Sequence, residues 1–297
     1  MLVTGAQGFI GSWLAARLRS DGAPVVAPER EVLDVTDPSA VRELLEEHRV
    51  VTVFHLAAQS TVKQAYRDPA GTLDVNIRGT YNVLEACRTS AVPVERIVIA
   101  SSYLAYGGQP DGPLGVESEL RGMYPYDVSK ACADAISRSY AHSYDLPIAV
   151  LRLANVYGGG DFNFTRLVPE TARALVRGEP PVLRSDGTPE RDFLYVEDAV
   201  DAYLAVASTL DDPSARGRAW NAGAGEPVAV LEVVRRLIGV AGRDVDPVIE
   251  GKGTPPGELD RQAVDASALR DETGWRPRWD LDRGLDETYS WYRSELG

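Results

Sequence analysis

Residues Leu2–Leu18 read LVTGAQGFIGSWLAARL. A short apolar strand leads into Gly5, Gly8 and Gly11, and an amphipathic helix follows at once. The spacing G-x-x-G-x-x-G is one residue off the commoner G-x-G-x-x-G, and alone it marks only a strand–helix turn. Its context gives it meaning. Glycines allow a tight turn and close backbone approach to a pyrophosphate, and the helix start offers free N–H groups and the positive end of its dipole. Eighteen residues past Gly11, after PVVAP, stands Glu29, an acid placed at the end of a second strand to accept hydrogen bonds from an adenosine ribose. A carboxylate there repels a 2′-phosphate and favours NAD over NADP, although the neighbouring Arg30 could cradle that phosphate.

Outward from this loop the pattern repeats. The apolar β-branched runs PVVAPE, VVTVFHLAA, ERIVIASS and PIAVLRLAN alternate with helical patterns such as DPSAVRELLEEH and NIRGTYNVLEACR. Strand, helix, strand, helix predicts an α/β fold, a doubly wound parallel (Rossmann) sheet. After Asn155 the rhythm breaks, and glycine and proline cluster in YGGGD, RGEPPVLRSDG and GKGTPPGE. We expect a dinucleotide-binding domain from 1–155 plus about 191–222, and a smaller C-terminal substrate-binding domain from about 156–190 plus 223–297.

Composition narrows the function. The chain has 297 residues and a formal charge of -13, which argues against nucleic acid or an anionic membrane as partner, so any phosphate must be held by a local site. No apolar run approaches the roughly 18 residues of a membrane span, the N-terminus lacks signal-peptide features, and the chain reads as cytoplasmic. Cys87 and Cys132 lie in helical segments without metal or redox spacing and read as core fillers. His48, His55 and His142 are scattered, which speaks against a histidine metal site.

Only three of the 31 Lys plus Arg residues are lysines, and one is Lys130, in MYPYDVSK. It follows Tyr126 by one helical turn, so both side chains share a face, about 6 Å apart along the axis. A cation there favours phenolate; moving a phenol from a pKa of about 10 to near 7 takes about 4 kcal/mol. The run ASSYLAYGG puts Ser101 and Ser102 at a strand's C-terminal end, where doubly wound sheets hold ligands. Ser102, Tyr126 and Lys130 would then form a triad beside a nicotinamide.

With these residues in place, the chain resembles the extended short-chain dehydrogenases/reductases of the NAD-dependent epimerase/dehydratase family. The likeness runs through TGAQGFIG, HLAAQS, NIRGTYNVLEA, YDVSK, LANVYGGGD, RDFLYVEDAVDAY and TGWRPRWDLDRGLDET, and PYDVSKACAD and GGGDFNFTRLVP are most similar to CDP-glucose 4,6-dehydratases. The resemblance implies NAD as cofactor and a nucleoside-diphosphate sugar as substrate. Tyr126 would be the base at a sugar hydroxyl, Lys130 would hold the nicotinamide ribose, and Ser102 would bond the reacting oxygen. Cofactor contacts carry over to Gly5, Gly8, Phe9, Ile10, Gly11, Glu29, Asp34, Val35, Leu56, Ala57, Ala58 and Asn76. Substrate contacts carry over to Asn155, Arg166, Arg191 and Arg261, while Asp161 in GGGD reads equally as a turn residue. Family members often form homodimers through helices that would include Asn82 and Ala133.

One departure matters for the reaction. The 4,6-dehydratases carry an acidic residue and then glutamate or lysine after the position of Ser102; here Tyr103 and Leu104 stand there. Leucine transfers no proton, and Tyr103 would need a large pKa shift or serves as a bulky wall. The expectation is therefore a nucleotide-sugar 4-epimerase. A 4,6- or 5,6-dehydratase with an unusual acid or base, a 4-ketoreductase and a silent dinucleotide sensor are the alternatives.

Overall fold

The computed structural model describes residues 1–108, 112–251 and 260–297. Its central sheet contains β1 (Leu2–Thr4), β2 (Thr52–His55), β3 (Arg96–Ser102) and β4 (Ile148–Leu153). After β5 (Asn155–Tyr157), β6 (Val182–Leu183) and β7 (Glu190–Tyr195), the chain returns to that sheet as β8 (Ala219–Ala222). The order is β1-β2-β3-β4-β8, and every pairing is parallel. The Rossmann expectation holds.

Such strands are buried on both faces, which explains why they read as continuous apolar runs. On one face, the helices Phe9–Ser20 and Val196–Thr209 bring Leu14, Leu18, Val200 and Tyr203 against Val3, Phe54, Leu151 and Trp220. On the other, Val41, Leu45, Val83 and Leu84 of the helices Pro38–Glu47 and Gly79–Thr89 cover Leu2, Val53, Ile97 and Val150. Cys87 is buried in this second core, and burial pushes its thiol up to about 12, as suits a core filler.

The strand expected at PVVAPE is reduced to one parallel bridge, Val26 beside Leu2. Pro28 has no N–H to extend the ladder. Val26 nevertheless lies on one side of β1 and β2 on the other, so the winding direction reverses at β1 and leaves a crevice beyond its carboxyl end.

A second sheet forms from β5, β7, β9 (Pro227–Ala229) and β11 (Arg261–Gln262), while β10 (Val248–Ile249) pairs with β6. Around it the helices Leu167–Val176, Val230–Val240 and Leu281–Leu296 share a core that includes Val168, Leu175, Val234, Leu285 and Tyr289. Most of GKGTPPGE lies outside the described residues. Among the described residues, no helix is long and apolar enough to cross a membrane, and no group of His, Cys, Asp and Glu is disposed to hold a metal ion.

Candidate active site

Beyond the carboxyl ends of β1 to β4 lies a cavity of about 1440 Å³ that continues to the second sheet. A single small-molecule site takes roughly 300–1000 Å³. This one has room for a dinucleotide and a second ligand together.

The glycine loop forms one wall. Gly5 has φ +71°, and a Cβ there would lie 2.7 Å from the Ala57 nitrogen; a Cβ on Gly11 would lie 2.2 Å from the Gly5 carbonyl oxygen. Both clashes are with backbone, which cannot yield. Gly8 caps the helix Phe9–Ser20 without a side-chain bond, so the first-turn N–H groups of Phe9, Ile10 and Gly11 have no partner one turn back within the helix. A close, donor-rich cradle of this kind fits a pyrophosphate. Leu56, Ala57 and Ala58 line the facing wall, and Ala57 N–H donates to Thr4 Oγ1 at 3.1 Å.

Behind that wall runs a buried polar chain. Thr80 donates to the Asn76 carbonyl at 2.6 Å, so it accepts from His55 Nε2 at 3.2 Å, and His55 Nδ1 accepts from Thr4 at 2.8 Å. Burial, with the Lys130 charge adding, pushes His55 down to about 3, so the ring is neutral. Asn76, in a π-helical turn, accepts from Gln59 N and donates to Gln59 O and Ser129 Oγ. Its amide thus ties the HLAAQS loop to the helix of Tyr126, and it sits behind the cavity lining.

That helix, Pro125–Tyr144, starts at the cavity with proline at its first position, where the missing N–H costs nothing. Tyr126 and Lys130 both line the cavity beside Ser102. The expected direct influence of Lys130 on the phenol is replaced by another arrangement. Burial holds the Tyr126 pKa above its ordinary value; the charge of Arg166 and the hydroxyl of Ser102 offset only part of that rise, and Asp127 adds to it. Lys130 instead donates to the Ala100 carbonyl at 2.9 Å.

Burial pushes the Lys130 ammonium down to about 8. Dinucleotide affinity is therefore expected to weaken as pH rises through about 8, where the charge is lost; titration calorimetry from pH 6.5 to 9.5, on the order of one and a half units either side, checks it. A flat profile would remove Lys130 from the cofactor site. Between about 8 and an unfolded value near 10.4, Lys130 binds fewer protons folded than unfolded. Its contribution to stability accordingly rises with pH across that window.

At the adenosine end, Glu29 is exposed and does not line the cavity, whereas Arg30, Asp34 and Val35 do. Asp34 accepts from Thr36 N and Oγ1 at 2.9 and 2.8 Å, and these bonds hold its carboxyl below the usual range. At the other end, Arg166 lies between the two halves, 2.9 Å from Asp161 and 3.5 Å from the Ser60 carbonyl. Arg191 is buried in the cavity wall and donates to the Glu190 carbonyl at 2.9 Å. Arg261 is exposed, pairs with Glu190 at 3.1 Å and stays outside the lining. Asp161 is buried; it holds Arg166, accepts from Asn163 N, and its carbonyl accepts from Tyr292, so it anchors the GGGD turn.

Tyr103 and Leu104 follow Ser102 into the cavity wall, and Tyr103 donates to Asn155 Oδ1 at 3.1 Å. Three buried polar atoms in this wall have no protein partner: Ser101 Oγ, Asn155 Nδ2 and Gln262 Oε1. An unpaired buried polar group costs about 1–3 kcal/mol, so these atoms mark where a ligand would bond. Gln262 escapes a sequence reading because its two-residue strand carries no periodic signal.

The model of the NAD dependent epimerase/dehydratase family matches residues 1–223. A UDP-glucose 4-epimerase of Mycolicibacterium smegmatis is 30% identical, aligning over 99% of this chain and 98% of its own. A CDP-glucose 4,6-dehydratase of Salmonella typhimurium is 28% identical over 99% and 90%. The crystal structure of Thermotoga maritima UDP-glucose 4-epimerase with UDP-glucose superposes with a TM-score of 0.91 at 28% identity, covering 100% of this chain and 99% of that one.

Proposed function

Because the chain belongs to the NAD dependent epimerase/dehydratase family, we propose that it is a nucleotide-sugar 4-epimerase, acting in the cytoplasm as a homodimer on a nucleoside-diphosphate sugar. The observation that carries this reading is the commitment of the acids. Six carboxylates line the cavity among the described residues: Asp34, Asp68, Asp74, Asp127, Asp161 and Glu170. Asp34 and Asp68 bond turn and helix-start N–H groups, and Asp74, Asp161 and Glu170 pair with Arg78, Arg166 and Arg184. Asp127 stands in the first turn of its helix, where the backbone N–H groups of Tyr124 and Asp127 favour its carboxylate form against burial. Beside Ser102 stand a tyrosine engaged with Asn155 and a leucine. Loss of water from the sugar needs an acid and a base there.

Oxidation and reduction at one carbon need less. NAD, when bound, supplies the acceptor and later the donor of hydride. Tyr126 takes the proton from the sugar hydroxyl and returns it, with Ser102 bonding the same oxygen. Arg166 favours the phenolate form against the penalty of burial, and with Arg191 it meets the diphosphate. Lys130, fixed on the Ala100 carbonyl, holds the ribose. The glycine cradle, Asp34 and Val35 bind the rest of the dinucleotide.

One observation favours a second reading. Asp127 adjoins Tyr126, lines the cavity, and burial raises its carboxyl to about 6, the range of a general acid. A dehydratase would use it. Incubation with a panel of nucleotide sugars, with products identified by mass and NMR, tests the choice: a 4-epimer of unchanged mass is expected, and a product lighter by one water would reject the epimerase.

A further inference from the structure

Tyr103 occupies the position after Ser102, yet its ring belongs to a small core with Tyr106, Leu114, Ala154 and Val264. Its hydroxyl meets the cavity wall, donating to Asn155 Oδ1 at 3.1 Å. Because that bond uses the carbonyl end of the amide, Nδ2 is the end without a protein partner, and it is buried. The backbone of Asn155 is fixed independently, since β5 pairs it with Phe193 of β7. What is left to set is the rotation of the amide, and the Tyr103 hydroxyl sets it.

We infer that Tyr103 is a positioning residue, whose hydroxyl orients Asn155 so that Nδ2 donates a hydrogen bond to an acceptor oxygen of the substrate. The inference rests on the nucleotide-sugar reading. The acceptor is a sugar hydroxyl or a diphosphate oxygen, both of which suit an N–H donor. Tyr103 donates its own proton to Asn155, so it serves binding rather than proton transfer to the sugar.

Tyr103→Phe keeps the ring in its core and removes one donor. We expect it to raise KM about three- to tenfold, as loss of one buried hydrogen bond would. It should lower kcat by less than that, lower the Tm by a few degrees at most through the unpaired Asn155 Oδ1, and leave the pH profile and the NAD affinity as in the wild type. Asn155→Ala should raise KM by at least about tenfold, and adding Tyr103→Phe to it should change nothing further, because the two act as one unit. Additive effects, an unchanged KM in Tyr103→Phe, or a fall of about 100-fold in kcat with a shifted pH profile would overturn the inference. Calorimetry with UDP, CDP and dTDP separates the two oxygens: weaker binding by Asn155→Ala places the contact at the diphosphate, and unchanged binding with weaker nucleotide-sugar binding places it on the sugar. A wild type that neither binds nor turns over any nucleotide sugar would instead reject the proposed function.

Discussion

Tyr126→Phe is expected to abolish turnover, by about 100- to 10,000-fold, the worth of a positioned proton carrier. The substitution removes one oxygen and leaves the ring, so the fold has little to lose. The Tyr126 backbone carbonyl keeps its bond from Ser129, and Lys130 keeps its place on Ala100. Cofactor affinity should therefore stay within a few-fold while kcat collapses. Steady-state kinetics and calorimetry on one preparation check both halves. Activity within a few-fold of the wild type would show that another group carries the proton.

The largest effect on stability is expected far from the reacting oxygen. Arg152 and Asp134 are both buried, with Nε and Nη2 meeting the two carboxylate oxygens at 2.7 and 3.0 Å. Nη1 also donates to the Tyr106 hydroxyl at 2.8 Å and the Val116 carbonyl at 2.9 Å, and Tyr106 donates to Asn221 at 2.7 Å. Burial works against the Arg152 charge, but the Asp134 carboxylate overcomes it and holds the pKa above its ordinary value. Asp134→Ala would strand that guanidinium, at a cost of about 3–5 kcal/mol. In a chain of this size the Tm should fall by roughly 5–15 °C. Adding Arg152→Met should recover part of the loss, because no buried charge is then left unpaired, while the Val116 carbonyl loses its donor. A Tm unchanged in Asp134→Ala would mean that solvent reaches the pair. Tyr106 closes the turn that begins at Tyr103, so this network also braces the wall beside Ser102.

The sheet and the glycine cradle were legible because each rests on local rules: apolar runs covered on both faces, and turns that no Cβ can enter. The Tyr126–Lys130 pairing shows where such rules stop. Helical spacing puts both side chains on one face, but the partner of Lys130 is a carbonyl of β3, and the cation acting on the phenol is Arg166, 40 residues further along the chain. Only the packing of the helix on the sheet decides that. Similarly, PVVAPE has the composition of a strand, yet Pro28 leaves it a single bridge. Asn155 meets Tyr103 across 52 residues because β3 and β4 end side by side, and Arg261 turns to Glu190 instead of the cavity through the pairing of β11 with β7; no periodicity announces either contact.

The proposed reaction is tested most directly by running it in deuterium oxide. A 4-epimerase never breaks the bond between carbon 5 and its hydrogen, so the product should keep the substrate's carbon skeleton and number of oxygens. No solvent deuterium should enter carbon 5 or carbon 6, and added NAD should not be consumed. Deuterium at either carbon, or a product lighter by one water, would contradict the epimerase reading and make Asp127 the first residue to replace in search of the acid.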